Sequence, residues 1–295
     1  MPDVLITGEN GYIGTAAAKR MSEAGWHCER MSLRGGLPDN ADLSRFDCII
    51  HAAGIVHRKY RSSDSELYFN VNCRLTDLLA RRAKQCGVKH FIYLSTMSVY
   101  GKTTGRITAS TNENPRDEYG VSKLMAEKRL SELEDAGFTV TILRPPMVYG
   151  ENCPGNFAAL RKYSARLPFF PSIKNERSML YIGNLCECLL ILAGEREGGI
   201  FFPQDSEYIA TRDMVTIAAE AAGKSIRLTG IFNPLLKLLS RGGKLSKIFG
   251  SLTYDREMSA LPADYAITPT DEAIARSCGI GGEVGKVEKA EKVNR

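Results

Sequence analysis

Val4-Leu5-Ile6-Thr7 runs directly into Gly8-Glu9-Asn10-Gly11-Tyr12-Ile13-Gly14, and an alanine-rich stretch around Ala16-Ala17-Ala18 follows. A short apolar run, a turn with glycine at every third place and a helical pattern over Tyr12–Ala24 read as a buried strand, a tight turn and a helix. Gly8 suits the unusual φ of a strand-to-helix turn. Gly11 leaves space for a pyrophosphate to reach the amides at the helix N-terminus. Gly14 lets the helix pack closely on the strand. In this setting the residues from Gly8 to Gly14, with Tyr12 and Ile13 in the helix start, predict a dinucleotide cradle.

The alternation continues outward from that turn. Strands are predicted at His27–Leu33, Phe46–His51, Val88–Ser95 and Phe138–Leu143, with helices at Ser65–Cys86 and Asp117–Ala136. This is the pattern of an α/β fold, a Rossmann-like doubly wound parallel sheet with helices on both faces and ligands at the carboxyl ends of the strands. After Pro145 the rhythm breaks. Helices at Gly155–Arg166, Asn184–Leu192 and Thr211–Ala222, with strands at Gly199–Pro203 and Ser225–Thr229, suggest a smaller discontinuous α/β substrate lobe. The expected division is a dinucleotide domain over 1–150 with returns near 183–203, a lobe over 151–280 and a flexible tail over 281–295. Ile231–Phe249 reads either as a membrane-surface helix or as a lobe helix broken at Gly242-Gly243. The lobe helix is the preferred reading.

The chain has 295 residues, 43% apolar and 25% charged, enough to bury a sizeable core. Its 39 basic and 34 acidic residues give only +5, spread along the chain. That is too mild for a nucleic-acid partner and suits an anionic small molecule. No apolar run is long enough to span a bilayer. Cysteines 28, 48, 73, 86, 153, 186, 188 and 278 are scattered without metal-ligand spacing. Reduced thiols, a cytoplasmic location and no metal are expected.

Strand ends carry the candidate chemistry. Ser32 and Arg34, with Arg30, stand where an acidic residue holds the adenosine ribose in many NAD sites. A hydroxyl and guanidinium groups suit a 2′-phosphate, so NADP(H) is favoured over NAD(H). Ala52, Ala53 and Gly54 offer a small-residue wall for a flat cofactor, and Arg144-Pro145-Pro146 leaves the next strand. Thr96 puts a hydroxyl at a central strand end, followed by Met97. Tyr119 and Lys123, at i and i+4, share a helix face. A nearby ammonium is expected to lower the tyrosine pKa while also holding the nicotinamide ribose. His57 is a weaker candidate for contacting the substrate. His27, His51 and His90 read as core or edge residues.

With these motifs in order, residues 3–205 resemble an extended short-chain dehydrogenase/reductase of the NAD-dependent epimerase/dehydratase type, a family acting mostly on nucleotide sugars. The resemblance rests on Gly8, Gly11 and Gly14, His51-Ala52-Ala53-Gly54, Thr96, Tyr119 and Lys123. It implies that Asn72 joins the proton path through a water, that Asn156 and Arg177 grip the nucleotide diphosphate, and that Thr96 and Met97 face the sugar. Arg144-Pro145-Pro146-Met147-Val148-Tyr149-Gly150 looks most like bacterial 4-keto-6-deoxy-sugar reductases of surface-polysaccharide precursor synthesis. The implied reaction is NADP(H)-dependent reduction of a nucleotide-bound keto sugar by a homodimer. The alternatives are a 4-epimerase with tightly bound NAD and a non-catalytic NADP(H)-sensing protein. One departure is plain: only Leu33–Arg45 separates the second strand from Phe46, too little for the helix and strand usual there. The sheet edge beyond the second strand is therefore expected to be trimmed, and Asp42-Leu43 is the candidate substitute for the missing adenine contact.

Overall fold

The protein's computed structural model describes residues 1–56, 64–155, 157, 160, 164, 166–231, 233–239 and 243–279. Six parallel strands, β1 (Asp3–Thr7), β2 (His27–Met31), β3 (Cys48–His51), β4 (His90–Leu94), β5 (Thr139–Leu143) and β6 (Gly199–Phe201), make the main sheet. Its order is β6-β5-β4-β3-β1-β2. The chain moves outward from β1 to β2, then returns to β1's other side for β3. The crevice between the ends of β1 and β3 is thus the switch point at which such sheets bind ligands.

Strand residues alternate between two cores. Val4, Ile6, Cys48, Ile50, Ile92 and Leu94 face helices α1 (Tyr12–Glu23) and α5 (Ile182–Glu195). Leu5, Ile49, Phe91, Tyr93, Val140 and Ile142 face the opposite helices. These are α2 (Asp64–Phe69), α3 (Leu75–Gln85) and α4 (Glu118–Ser131), with a π-helical turn at Asn70–Arg74 joining α2 to α3. Arg20 of α1 and Glu187 of α5 pair at 2.7 Å, so the late helix is fastened to the first one.

The trimmed edge is present: β2 pairs only with β1, and residues 32–47 contain neither helix nor strand. What covers the sheet there is the loop itself. Leu33, Leu43 and Phe46 are buried in the same core as Leu79, Ala80 and Ala83 of α3. Arg82 Nε donates to the Ala41 carbonyl at 2.8 Å, fixing the loop to that helix. Leu43 is therefore a core residue and offers nothing to an adenine, while Asp42 accepts the Ser44 amide at 2.9 Å.

Beyond residue 145 the lobe is built from short parallel pairs. Met147–Tyr149 pairs with Met179–Tyr181, and Phe169–Pro171 with Arg227–Thr229. Leu252–Tyr254 pairs with Gly105–Ile107, tying the late chain to the loop after β4. Such three-residue strands have too little periodicity to stand out in a sequence. Thr211–Ala221 is helical, and the Ile231–Phe249 region holds two short helices, Asn233–Leu239 and Gly243–Phe249. The C-terminal stretch expected as a tail lies outside the described residues from 280 onward.

If the 32–47 loop substitutes for a helix, truncating its deepest side chain must cost like a core mutation. Leu43→Ala is expected to lower unfolding free energy by about 2–4 kcal/mol, measured as a drop in urea midpoint. A change below about 0.5 kcal/mol would contradict the loop's role as core cover.

Candidate active site

The glycine turn is closed too tightly for side chains. Gly8 has φ +86°, and a Cβ there would lie 3.1 Å from the Ala53 nitrogen. A Cβ on Gly14 would meet the Gly8 carbonyl oxygen at 2.5 Å, a contact real side chains do not make. Gly11 donates to the Gly8 oxygen at 2.7 Å and stands exposed at the start of α1. The first-turn amides of Tyr12 and Ile13 are left for an anion by helix geometry. This cradle fits a pyrophosphate. The side chains of Tyr12 and Ile13 point elsewhere. Ile13 packs on the α1–α5 core, and Tyr12 packs on the lobe cluster that contains Tyr149 and Met179, its hydroxyl beside Gly150. Only their backbones can serve the cofactor.

One buried chain of hydrogen bonds fastens the wall opposite. The Ala53 amide donates to Thr7 Oγ1 (3.3 Å), and Thr7 Oγ1 meets His51 Nδ1 (2.7 Å). His51 Nε2 meets Thr76 Oγ1 (2.9 Å), which donates to the Asn72 carbonyl (2.9 Å). Because Thr76 spends its proton on that carbonyl, His51 must donate from Nε2 and accept at Nδ1. Burial first, and then the Lys123 charge, push the imidazole down to about 3, so it is neutral. The sequence reading placed His51 in the core without a task. Its position in the His-Ala-Ala-Gly string was the available signal.

Asn72 sits in the π-helical turn, whose extra residue turns its amide toward the crevice. Its Nδ2 donates to the Ile55 carbonyl and to Ser122 Oγ, both at 3.1 Å, and its Oδ1 accepts the Ile55 amide at 2.9 Å. Both amide protons are thus engaged, and the side chain clamps the segment after Gly54. A Cβ on Gly54 would lie 3.0 Å from Asn72 Oδ1 and 3.3 Å from Lys123 Nζ, so a side chain there would crowd both groups.

Thr96, Tyr119 and Lys123 converge. Thr96 caps the short 3₁₀ turn Met97–Tyr100, its Oγ1 accepting the Ser98 amide at 3.1 Å, and it hydrogen-bonds the Tyr119 hydroxyl. Asp117 caps α4 by accepting the Gly120 amide at 2.8 Å, which fixes where Tyr119 enters the helix. Lys123 Nζ donates to the Leu94 carbonyl at 2.8 Å and lies 4.6 Å from the centre of the Tyr93 ring. The expected acidification of the phenol by the ammonium is not what the structure shows. Burial pushes Tyr119 up to about 12, against a lowering from Thr96. Burial also pushes Lys123 down to about 8, partly offset by Glu127. Each is disfavoured in its charged form because both stand in a water-poor crevice.

Below them is a network with no prior assignment. Arg144, at the end of β5, pairs through Nη2 with Glu127 at 2.6 Å and through Nη1 with Glu113 at 2.8 Å, and also donates to Tyr100 Oη at 2.8 Å. Ser95 donates to the same Glu127 carboxylate. The Tyr254 hydroxyl closes the lobe over it by donating to the Arg144 carbonyl at 2.8 Å.

The remaining predicted residues divide. Pro145 is buried and its carbonyl takes the Met97 amide at 2.9 Å, while Met97 itself packs in a small core with Val99, Tyr100 and Tyr254. Ser32 and Arg34 are exposed beside the glycine turn, whose Gly8 amide bonds the Met31 carbonyl at 3.1 Å. Arg30 donates to the Glu9 carbonyl at 3.1 Å. Arg177 donates to the Gly250 carbonyl at 3.0 Å, and burial lowers its pKa. No ion pair is recorded for it among the described residues. Asn156 and His57 lie outside the described residues. No group of three or more His, Cys, Asp or Glu among the described residues is arranged to hold a metal. No helix among them is long and apolar enough to cross a membrane.

A doubly wound sheet with a phosphate cradle at its switch point and a Thr-Tyr-Lys cluster alongside defines a dinucleotide-dependent enzyme of the short-chain dehydrogenase/reductase type. Residues 4–201 match the NAD dependent epimerase/dehydratase family, and the chain belongs to it. It is 29% identical over 249 residues to a UDP-glucose 4-epimerase from Vibrio cholerae, covering 75% of this chain and 76% of that one. It is also 29% identical over 204 residues to an N-acetyl-alpha-D-glucosaminyl-diphospho-ditrans,octacis-undecaprenol 4-epimerase from Escherichia coli O157:H7, covering 63% and 61%. Among solved structures, a UDP-N-acetylglucosamine 4-epimerase from Bacillus cereus superposes with TM-score 0.73 at 17% identity, over 95% of this chain and 99% of that one.

Lys123 supplies a check on the site's electrostatics. Its pKa of about 8 in the fold, below the free value of 10.5, means the unfolded chain holds the proton more tightly. The Lys123 contribution to stability should therefore become more favourable as pH climbs from about 8 to about 10.5, so the stability difference between wild type and Lys123→Met should shift towards the wild type across that range. At pH 7 the variant is expected to be more stable by about 1–2 kcal/mol, the charge burial avoided less the Leu94 bond lost. Parallel stability–pH curves for the two proteins would contradict the burial of this amine.

Proposed function

We propose that the protein reduces a keto group on a nucleotide-linked sugar, the 4-keto group of a 6-deoxyhexose in the preferred reading, with NADPH as the reductant. The observation that carries it is the Thr96–Tyr119 hydrogen bond beside Lys123 and the glycine-walled crevice. A reduced nicotinamide, when bound there, would supply the hydride for the carbonyl carbon. Tyr119, protonated because burial raises its pKa to about 12, gives its proton to the carbonyl oxygen as that oxygen becomes an alkoxide. Thr96 hydrogen-bonds the same oxygen and holds the phenol in line. Lys123, fixed by the Leu94 carbonyl, orients the cofactor ribose against Gly54. The products are the alcohol and NADP⁺, with the phenolate reprotonated from solvent.

Two features support the choice of cofactor and substrate class. The end of β2 carries Ser32 and Arg34 with Arg30 beside them, and no acid until Asp39, which suits a 2′-phosphate and repels no phosphate charge. Arg177 is a half-buried guanidinium that donates to the Gly250 carbonyl at 3.0 Å and has no ion pair among the described residues, so its charge and further donors are available to a diphosphate. Cytoplasmic surface-polysaccharide precursor synthesis is the setting that fits this substrate.

The second reading, 4-epimerisation with retained NAD, has its support in the names of the Vibrio cholerae and Escherichia coli relatives. The same three side chains serve it, with Tyr119 first removing and then returning the proton. The two readings part on cofactor exchange. Purified protein that is denatured and releases stoichiometric NAD, and that interconverts two sugars without net oxidation, would displace the reductase reading. Tyr119→Phe is expected to lower kcat by about 100-fold or more while NADPH affinity changes less than about threefold. Arg34→Asp is expected to weaken NADPH binding by about tenfold or more and leave NADH binding nearly unchanged, read by fluorescence titration.

A further inference from the structure

Between residues 221 and 254 the chain carries Lys224, Arg227, Lys237, Arg241, Lys244 and Lys247 and no aspartate or glutamate. The stretch 152–175, which supplies the strand paired with Arg227–Thr229, has four more basic residues and again no acid. These two segments hold ten positive charges, twice the net charge of the whole protein. The rest of the chain is net acidic.

Large apolar side chains stand out of the same elements. Ile231 is 82% exposed, Phe169 and Leu238 each 59%, and Leu235 57%. They ride on one connected unit. Asn233 Nδ2 donates to Ser172 Oγ at 2.9 Å, and the rings of Phe170 and Phe249 lie 5.9 Å apart. Phe170 is buried against Phe249, and the exposed groups take no part in that contact. The packed-helix expectation for 231–249 thus accounts for Phe249 and leaves Ile231, Leu235 and Leu238 unexplained. Arg166, Lys174, Arg227 and Lys247 are exposed around them.

Exposed aliphatic groups interspersed with lysine and arginine, on segments that themselves carry no acid, match one environment well: the interface of an anionic bilayer. A second copy placing the same patch face to face would set like charges together. Nucleic-acid phosphates would answer the charge and give nothing for burying Ile231 or Leu235. We propose that this end of the lobe docks on a membrane surface containing anionic phospholipid, with Ile231, Leu235 and Leu238 entering the headgroup layer. The surface is joined to the site, because the Ile248 and Gly250 carbonyls, at and just beyond the end of helix Gly243–Phe249, accept hydrogen bonds from Asn175 and Arg177 at 3.0–3.2 Å. Docking would bring the Arg177 grip to the bilayer. It stands whether the reaction is reduction or epimerisation.

The test is flotation of the full chain with vesicles of phosphatidylcholine alone or with about a third phosphatidylglycerol. Binding to the anionic vesicles is expected to be about tenfold or more stronger, and to weaken several-fold between about 0.1 and 0.5 M salt. Arg227→Glu with Lys247→Glu should abolish the preference, and Ile231→Ser with Leu235→Ser should lower binding to anionic vesicles by about tenfold or more. Both variants should keep wild-type NADPH binding and turnover on a free nucleotide sugar, which shows that they are folded and separates this proposal from the catalytic one. Equal, negligible flotation with both vesicles would overturn it. So would variants that float like the wild type, or sedimentation showing that the apolar variant merely dissolves a self-associated form.

Discussion

Thr7, His51, Thr76 and the Asn72 carbonyl form a single buried run of hydrogen bonds across the carboxyl ends of β1 and β3 and into the π-helical turn. The imidazole at its centre has one donor and one acceptor, and each neighbour needs the opposite partner. A protonated ring would turn Nδ1 into a second donor and leave the Thr7 hydroxyl proton without its acceptor. Burial, by holding the ring neutral, keeps one tautomer and one geometry. Through Thr7 the run reaches the Ala53 amide, and through Asn72 it reaches Ile55 and Ser122. The bare wall at Gly54 is therefore positioned by groups buried behind it.

Helix α4 carries the other half of the site. Tyr119, Lys123 and Glu127 are spaced four apart, so phenol, ammonium and carboxylate follow one another down one face from crevice to interior. Glu127 is taken up by Arg144, almost wholly buried with it, and Arg144 reaches Glu113 and Tyr100 on the loop below. A buried pair of this kind adds little net stability, since desolvation offsets most of the attraction. What it fixes is register: α4, the end of β5 and the Tyr254 strand of the lobe can meet in one arrangement only, since any other leaves a charge unpaired.

The edge of the sheet shows how a fold tolerates subtraction. Removing a helix and strand beyond β2 would strip one face of its cover, yet Leu33, Leu43 and Phe46 supply apolar surface from a loop pinned by Arg82. The same shortening leaves Ser32 and Arg34 at an open rim beside the phosphate turn. Cover and rim thus come from a single short connection.

The six strands of the main sheet, its principal helices, the phosphate turn and the trimmed edge were legible in the sequence. Their signals are local: apolar runs, helical spacing, glycines at fixed intervals, and a connection too short for more elements. Thr96, Tyr119 and Lys123 could be nominated for the same reason, each lying at the end or start of a recognisable element. The three-residue strand pairs of the lobe, the task of His51, and the Glu127–Arg144–Glu113 network were not legible. Every one depends on residues between 17 and 147 positions apart meeting across the fold, as Glu127 and Arg144 or Gly105 and Leu252 do. The sign of the Tyr119 shift was likewise a tertiary matter. Spacing alone puts an ammonium on the tyrosine's face, but how much water the crevice excludes is set by the packing of β4, α4 and the lobe around it, and there desolvation outweighs the charge.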